Sequence, residues 1–233
     1  MPRKTQKKTP KYMQGKSVSA EKVYIKKKIE AKSTNQRKYI RSIKANDVTF
    51  CNGPAGSGKT HLAVAMAIDF LTKGLVDKIV VTRPVMSAGE SIGFLPGTAD
   101  RKLEPYMCPV FDEFNYYVSR QQVSSWKNEG ALEVVPIGFM RGRSFHNSFI
   151  IGDECQNLSM EQMKMFLTRT GLNSKLVVTG DESQSDLPSS QRGAFETCLR
   201  RLTGLEGVGV LTLTKEDIVR NSLIPLIIER LDI

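Results

Sequence analysis

Eight consecutive residues near the start of the chain constrain its fold more than any other feature of the sequence. They are Gly53, Pro54, Ala55, Gly56, Ser57, Gly58, Lys59 and Thr60. They match the pattern G-x-x-x-x-G-K-[ST] at every fixed position. Glycines let such a loop wrap with its N–H groups pointing inward, and the following helix N-terminus adds partial positive charge. The sequence therefore predicts a phosphate-binding loop (P-loop) between a strand and a helix.

The sequence on both sides of this loop has the pattern that the loop requires. An apolar run at 48–51 precedes it, and a segment with helical patterning at 61–67 follows it. In this setting Lys59 is predicted to reach the β- and γ-phosphates of a nucleotide, and the Thr60 hydroxyl to bind Mg²⁺. His61 stands on the first helical turn and belongs to the predicted binding segment, but we assign it no chemical role. The alternative is a glycine-rich turn that only caps a helix.

A second polar cluster follows the apolar run at 149–151. Asp153 and Glu154 come directly after Gly152, at the predicted end of a strand. A carboxylate in this position lies near the metal of a bound nucleotide, so Asp153 is the candidate Mg²⁺ ligand. Neighbouring side chains diverge at a strand end, and Glu154 is therefore the candidate general base that activates water. Two surface carboxylates in a loop are the alternative.

A third predicted strand ends in the sequence Thr-Gly-Asp-Glu-Ser-Gln at 179–184. Polar residues at the carboxyl edge of a parallel sheet are where folds of this class build their sites. Gln184 is predicted to hold the γ-phosphate or its attacking water. Asp181 is predicted to orient Thr179 or the water shell of the metal. A plain turn is the alternative.

From residue 47 onward, short apolar runs alternate with amphipathic segments. The predicted strands are 48–51, 78–82, 132–135, 148–151, 176–179 and 208–213. The predicted helices are 59–71, 105–119, 160–168, 194–203 and 216–231. Gly74 and Gly171 are placed as helix C-caps, and Ser159 with Gln162 has the spacing of a capping box. Continuous apolar strands separated by helices imply a mostly parallel sheet in a three-layer α/β domain, with an insertion at 86–144.

Charge is distributed unevenly along the chain. The formal net charge is +10, and residues 1–32 contain 11 Lys and Arg against two Glu. We predict a basic, flexible N-terminal arm at 1–32 and an ATPase-type domain at 33–233. The arm is either a solvated tail or an arm that binds nucleic acid by releasing counterions from phosphates, and both can hold together.

Several classes of protein are not supported by the composition. The four cysteines are scattered without a C-x-x-C pair, and the chain has only two histidines, which argues against a zinc site or a disulfide framework. A reducing, cytoplasmic location fits this usage of cysteine. No apolar run approaches the about 20 residues of a membrane span, so no membrane partner is expected.

The motifs in this order resemble the PhoH family of P-loop ATPases, which is related to the motor core of superfamily 1 helicases. The most diagnostic part is the run T-R-P…G-E…G-F-L-P-G at 82–97. The other matching segments are 53–60, 140–145, 149–157, 179–184 and 217–220. The resemblance implies a RecA-like P-loop NTPase fold, with the strand that ends at Asp181 between the P-loop strand and the Asp153 strand. It also implies ATP and Mg²⁺ as cofactors.

The resemblance further implies roles for two residues outside the core motifs. Gln36 takes the place of a glutamine that reads adenine, although a solvated glutamine is the alternative. Arg220 takes the place of an arginine finger, acting on its own subunit or on a neighbour, and a surface salt bridge is the alternative. The next residue is Asn221, where the family pattern has His. Three other arginines stay open between nucleic-acid, subunit and structural contacts: Arg83, Arg141 and Arg143.

The leading hypothesis is an ATPase that couples hydrolysis to binding or remodelling of RNA or single-stranded DNA, as helicases do. Only one motor lobe fits in the length of the chain, so we expect a ring-shaped homo-oligomer, a hexamer, with ATP at the subunit interface. The alternatives are a P-loop kinase acting on a small acceptor and a nucleotide-binding adaptor with little turnover. The pair Asp153 and Glu154, with Gln184, favours water as the acceptor.

Overall fold

The computed structural model of the chain describes residues 23–84, 99–219 and 230. Six strands form one sheet in the order β3-β2-β4-β5-β1-β6, and every pairing between them is parallel. They are β1 Val48–Asn52, β2 Lys78–Thr82, β3 Leu132–Val134, β4 Ser148–Gly152, β5 Lys175–Gly180 and β6 Val208–Thr212. The predicted α/β class is confirmed, and all six predicted strands are present.

Helices cover both faces of this sheet. They are α1 Thr34–Ala45, α2 Lys59–Thr72, α3 Ala99–Tyr117, α4 Arg120–Asn128, α5 Met160–Leu167 and α6 Ala194–Leu202. Alternate residues of each strand point to opposite faces. In β2, Ile79 and Val81 join the core beneath α1 to α4, whereas Val80 joins the core beneath α5 and α6. The predicted three-layer arrangement is therefore confirmed.

Helix α1 precedes the first predicted element and was not predicted from the sequence. It begins after Ser33, whose hydroxyl accepts a hydrogen bond of 3.0 Å from the N–H of Gln36. Its buried residues are Gln36, Tyr39 and Ile43, which lie on one face at helical spacing. The other residues of the helix are mostly polar or basic, so its apolar face is narrow.

Residues 23–32, which we call the N-terminal strap, lie against the domain. The main-chain N–H of Lys26 donates a 2.8 Å hydrogen bond to the carbonyl of Tyr117, and its ammonium donates to the carbonyl of Asn115 at 3.0 Å. Val23 and Ile29 pack against the core. The structure thus differs from the predicted flexible arm at 23–32, because these apolar and main-chain contacts hold the strap. The remainder of the arm, 1–22, lies outside the described residues.

Several predicted helix boundaries need correction. The helix predicted at 105–119 begins at Ala99, ends at Tyr117 and is followed by the separate helix α4. The helix predicted at 216–231 does not begin at Glu216, because a 3-10 turn at Lys215–Asp217 is followed by an extended Ile218. The rest of that prediction falls almost entirely outside the described residues.

The predicted caps have mixed outcomes. Gly74 follows α2 with a φ of +65°, as the C-cap prediction requires, and the capping box of Ser159 and Gln162 is present. Gly171 is not a cap, because α5 ends at Leu167. Instead, the N–H of Gly171 donates to the carbonyl of Phe145 at 2.9 Å. Among the described helices, none is both long enough and apolar enough to cross a bilayer.

Gly152 is the last residue of β4, and its lack of a side chain is a packing requirement. A Cβ added there would lie 2.5 Å from Cε1 of Phe166 and 2.7 Å from Sγ of Cys155. Both neighbours are completely buried and belong to the core beneath α5 and α6. The strand that carries Asp153 therefore has a fixed distance from that core.

We expect Gly152→Ala to lower the free energy of unfolding by about 1–3 kcal/mol, because the added methyl group overpacks the core. The measurement is denaturant-induced unfolding. Gly138→Ala is the matched control, since an added Cβ at Gly138 meets nothing within 4 Å. Equal stability of the two variants would show that the packing around Gly152 is not tight.

Candidate functional site

The predicted P-loop joins β1 to α2 and depends on glycines at two of its turns. Gly53 has a φ of +154°, and a Cβ there would lie 2.7 Å from the carbonyl oxygen of Leu213. Gly58 is the N-cap of α2 in the left-handed region, with a φ of +93°. Between them the Ser57 hydroxyl donates a 2.7 Å hydrogen bond to the carbonyl of Pro54. The sequence thus folds locally into a tight loop at the N-terminus of a 14-residue helix.

Lys59 is turned back onto this loop. Its ammonium group donates hydrogen bonds to the carbonyl oxygens of Gly53 at 2.5 Å and Pro54 at 3.0 Å. These two carbonyls therefore place the positive charge at the loop rather than in open solvent. An ammonium here, together with a helix N-terminus, makes the loop suited to an anion.

Thr60 and Asp153 are 93 positions apart in the sequence, and the fold brings them together. The Thr60 hydroxyl donates a 2.7 Å hydrogen bond to Oδ1 of Asp153, and the Thr179 hydroxyl donates to the same oxygen at 2.8 Å. Only 3% of the surface of Asp153 is exposed. The predicted metal ligands therefore meet at one point of the sheet edge.

This pair has the chemistry that Mg²⁺ requires. A carboxylate and a hydroxyl are hard oxygen ligands, and Mg²⁺ commonly takes one or two carboxylates and completes its shell with water and substrate phosphates. Within the described residues no three His, Cys, Asp or Glu side chains are grouped to hold a metal by themselves. The residues present thus fit a magnesium ion that is shared with a nucleotide.

Glu154 has a strained backbone and both of its carboxylate oxygens are engaged. Its φ is +54°, which is the left-handed region that a non-glycine residue rarely adopts. Oε2 accepts a 2.7 Å hydrogen bond from the side-chain amide of Gln156. Oε1 lies 3.7 Å from the guanidinium of Arg83, which is also 3.6 Å from Oδ2 of Asp153. Arg83 therefore bridges the two predicted functional carboxylates.

The turn after β5 is fixed to the neighbouring strands by side-chain hydrogen bonds. Asn52 donates to Glu182 at 2.7 Å and accepts from the Glu182 N–H at 3.1 Å. Oδ1 of Asp181 accepts from the hydroxyl of Ser183 at 2.6 Å, whereas Oδ2 of Asp181 is buried with no hydrogen-bond partner in the described part of the protein. Gln184 is exposed in this turn.

A cleft of about 710 Å³ opens beside the P-loop. Its walls include Lys59, Thr60 and Glu154 from the predicted site. The other side is formed by the strap and by α3, including Lys27, Lys28, Lys32 and Tyr116. The cleft therefore has several cationic groups along it, and Tyr116 is its half-exposed aromatic wall.

Gln36 lies under the loop and is almost completely buried, with 3% of its surface exposed. Its amide nitrogen donates to the carbonyls of Ser57 at 3.0 Å and Asp217 at 3.3 Å, and its amide oxygen accepts from the Lys32 N–H at 2.7 Å. The side chain therefore supports the P-loop from α1. The adenine contact of Gln36 stays a prediction.

Arg220 lies outside the described residues, but the chain that leads to it is close to the P-loop. The N–H of Val219 is 3.4 Å from the carbonyl oxygen of Gly56. Val219 also lines the cleft. The role of Arg220 as an arginine finger stays a prediction.

His61 connects α2 to α3 at the edge of the cleft. Its Nδ1 is 2.6 Å from Oε2 of Glu113, and its Nε2 is 2.6 Å from the hydroxyl of Tyr117. Burial raises the pKa of Tyr117, and the nearby negative charge of Glu113 raises it further. Tyr117 therefore stays protonated at neutral pH, and His61 has a structural position beside the predicted phosphate site.

Two cysteines lie close to the site, but neither has the properties of a nucleophile. Burial raises the pKa of the Cys51 thiol, and burial together with the negative charges of Asp153 and Glu154 raises the pKa of Cys155. A thiolate is the reactive form of cysteine. Both side chains therefore remain packed, unreactive thiols at neutral pH.

A profile of the PhoH family, described as PhoH-like protein, matches residues 28–232. The chain belongs to the PhoH family. Its relatives include the PhoH-like protein of Synechocystis, 41% identical over 201 residues, which are 86% of this chain and 61% of that protein. The PhoH-like protein of Bacillus subtilis is 41% identical over 206 residues, covering 88% of this chain and 65% of the relative. The chain thus spans less than two thirds of the length of these relatives.

The fold is also found in the large terminase of a thermophilic bacteriophage, solved in complex with ADP. The two structures superpose with a TM-score of 0.53 over 85% of this chain and 49% of the terminase, at 11% sequence identity. This likeness shows the fold. The implied RecA-like arrangement is confirmed, and β5 does lie between β1 and β4.

Sequence reasoning missed the two side chains that hold Glu154. Gln156 was not singled out, and Arg83 was left open among three arginines. A signal for Arg83 was present, because it directly follows the apolar strand β2, just as Asp153 follows β4. The rule that functional residues cluster at the carboxyl ends of parallel strands applies to both.

Asp217 ties the segment before Arg220 to the start of α1. It is 2% exposed, and its Oδ2 accepts hydrogen bonds from the Thr214 N–H at 2.6 Å and from the Asn35 amide at 3.1 Å. Burial raises the pKa of Asp217, but hydrogen bonds from Ser33, Thr214 and Asn35 outweigh it and hold the pKa below its usual value. The ionised form is therefore the one that the fold stabilises.

We expect Asp217→Asn to destabilise the protein at neutral pH by about 1–3 kcal/mol, because charge-assisted hydrogen bonds are removed. A lowered pKa contributes stability above the usual Asp value of about 3.9, and this stability disappears as the pH falls through the lowered pKa. The variant should therefore lose less stability than the unsubstituted protein on acidification below about pH 4. Thermal unfolding against pH measures this. Asp77→Asn, at an exposed carboxylate, is the control and should keep the full acid dependence.

Proposed function

We propose that this protein binds ATP with Mg²⁺ at the P-loop and hydrolyses the γ-phosphate. The observation that carries the proposal is the 2.7 Å hydrogen bond between Thr60 and Asp153, because it puts two oxygen ligands for one metal at the N-terminus of α2. Membership of the PhoH family supports it. The ADP bound by the terminase of the same fold also supports nucleotide as the ligand.

Each residue of the site has a role in this proposal. Lys59 exchanges its two loop carbonyls for phosphate oxygens, and the loop N–H groups bind the remaining charge. Thr60 and Asp153 hold Mg²⁺, which neutralises the phosphates when it is bound. Glu154 takes the proton from the attacking water.

The remaining predicted contacts belong to the same proposal. Gln184 orients the water or the γ-phosphate, and Gln36 contacts adenine. Arg220 stabilises the charge of the transition state, an effect worth about 10³-fold or more in rate for such fingers. Gln36 reaches adenine only if its amide leaves the carbonyls that it contacts in this structure.

We expect Lys59→Ala to abolish nucleotide binding and Glu154→Gln to lower hydrolysis by about 10²- to 10⁴-fold while nucleotide binding is kept, because only the base is removed. Phosphate release is measured with no acceptor added, and binding is measured with the fluorescent analogue mant-ATP. Glu161→Gln, at an exposed carboxylate of α5, is the control and should have the rate of the unsubstituted protein.

The alternatives give other results in the same assays. A kinase acting on a small acceptor would release little phosphate on its own. A nucleotide-binding adaptor would bind mant-ATP, and Glu154→Gln would leave its slow turnover unchanged. Either result would contradict the proposed hydrolase.

We further propose that RNA or single-stranded DNA is the polymer to which hydrolysis is coupled. The charge of residues 1–32 supports this partner, because clustered lysines release counterions from phosphates. Lys27, Lys28 and Lys32 also lie along the nucleotide cleft, so the basic segment is continuous with the site. Addition of RNA or of single-stranded DNA to the phosphate-release assay identifies which polymer stimulates the reaction.

We expect the first 22 residues to bind phosphates of the nucleic acid. The test is a full-length variant in which their basic residues are replaced by glutamine: Arg3, Lys4, Lys7, Lys8, Lys11, Lys16 and Lys22. Its affinity for single-stranded RNA should fall, and the slope of log K against log salt should flatten by about 0.7 for each phosphate that is no longer neutralised. Fluorescence polarisation at several salt concentrations measures both. The strap is left intact because Lys32 contacts Gln36. An unchanged slope would mean that these residues are only solvated.

A ring-shaped homo-oligomer, a hexamer with ATP between subunits, completes the proposal, together with a cytoplasmic location. A motor of one RecA-like lobe needs its arginine from its own C-terminal segment or from a neighbour. The approach of Val219 to Gly56 supports the first source. The cleft, open beside the strap and α3, supports a second chain as its outer wall.

A further inference from the structure

Arg83 follows β2 directly and occupies the space between the two carboxylates of the site. Its Nη1 is 3.6 Å from Oδ2 of Asp153, and its Nη2 is 3.7 Å from Oε1 of Glu154. The Arg83 side chain is 24% exposed and that of Asp153 is 4% exposed, so solvent screens these charges only partly. One guanidinium thus neutralises two adjacent negative charges.

Gln156 engages the other half of Glu154. Its amide nitrogen donates to Oε2 of Glu154 at 2.7 Å, and its amide oxygen accepts from the N–H of Asp181 at 3.1 Å. Gln156 is 5% exposed, so this hydrogen bond is shielded from water. Gln156 therefore links Glu154 to the turn that carries Gln184.

A general base needs a carboxylate oxygen that is free to accept a proton from water. In this structure Arg83 faces one oxygen of Glu154 and Gln156 occupies the other. The left-handed backbone of Glu154 is a second sign of constraint, because a non-glycine residue holds such a conformation only when its surroundings impose it. The arrangement is thus a restrained one.

Resting on the proposed function, we propose that Arg83 and Gln156 form a clamp that holds Glu154 inactive, and that Mg²⁺ with ATP releases it. Arg83 and Mg²⁺ are cations that compete for the carboxylate of Asp153. When the metal is bound to Asp153, Arg83 loses one of its two anionic partners and is repelled by the metal charge. Arg83 is accordingly a positioning residue that acts through Glu154.

The strength of the clamp follows from its geometry. Both N–O distances exceed the range of a hydrogen bond, so Arg83 holds the carboxylates by charge alone. Such an interaction is weak enough for a divalent cation to displace it. The hydrogen bond from Gln156 is the shorter contact, and it gives way only when the turn after β5 moves.

The test uses full-length Arg83→Gln and titrates Mg²⁺ at a fixed concentration of mant-ATP. Removing the competing cation should lower the Mg²⁺ concentration for half-maximal binding by about two- to fivefold, the factor expected of a partly exposed ion pair. Phosphate release without nucleic acid should rise by a similar factor. Arg83→Lys keeps the charge and should restore the Mg²⁺ dependence of the unsubstituted protein.

Arg143→Gln is the matched control. Arg143 pairs with Glu133 of the edge strand β3 at 2.7 Å, so its replacement removes an arginine–carboxylate pair without touching the clamp. Its Mg²⁺ titration should equal that of the unsubstituted protein. Gln156→Leu removes the second half of the clamp at nearly constant volume. It should raise phosphate release with little change in the Mg²⁺ titration, because the hydrogen bonds of Gln156 go to Glu154 and to the turn after β5.

Two results would overturn the clamp. One is a fall in phosphate release by Arg83→Gln with an unchanged Mg²⁺ titration, which would make Arg83 a catalytic or purely structural residue. The other is identical behaviour of Arg83→Gln and Arg143→Gln. If Arg83→Gln fails to fold, as thermal unfolding would show, the rate of Gln156→Leu decides the matter. Normal mant-ATP binding by Lys59→Ala would instead overturn the proposed function itself, so the two failures are distinguishable.

Discussion

The carboxylate of Asp153 connects three separate elements of the protein. Oδ1 accepts hydrogen bonds from hydroxyls of α2 and β5, and Oδ2 faces the arginine that follows β2. The N–H of Asp153 donates to the carbonyl of Thr82 at 2.9 Å, which continues the pairing of β4 with β2. A buried charge is costly unless it is paired and hydrogen-bonded, so the fold supplies this carboxylate with partners from every side. The rest of the site is arranged around it.

The order of the strands explains why distant parts of the sequence meet at this carboxylate. All six strands are parallel, so their carboxyl ends share one edge of the sheet. The position of β5 between β1 and β4 puts its turn next to both the P-loop and Glu154. Asn52 and Glu182 fasten this edge through two reciprocal hydrogen bonds. The topology thus converts four separate sequence motifs into one polar surface.

Local patterns in the sequence were sufficient for the strands, the P-loop and the metal ligands. Apolar runs mark strands that are buried on both faces, and the residues after them fall at a single edge. The patterns were insufficient for α1, whose apolar face is only Tyr39 and Ile43 among polar residues, and for the strap, whose lysines have the composition of a solvated tail. Contacts between long side chains, such as that of Arg83 with Glu154, depend on three-dimensional distances that no local pattern contains. For that reason the sequence identified the base but not what restrains it.

The insertion between β2 and β3 has a practical consequence for optical spectroscopy. Trp126 is the one tryptophan in the sequence, and it is 1% exposed on α4, in the core formed with α2 and α3. An indole in such an interior emits at shorter wavelength than one in water. Intrinsic emission from the unlabelled chain therefore comes from a single place, in the helical layer where the polypeptide returns to the sheet. A red shift would signal loosening of this half of the molecule even while the phosphate loop keeps its shape.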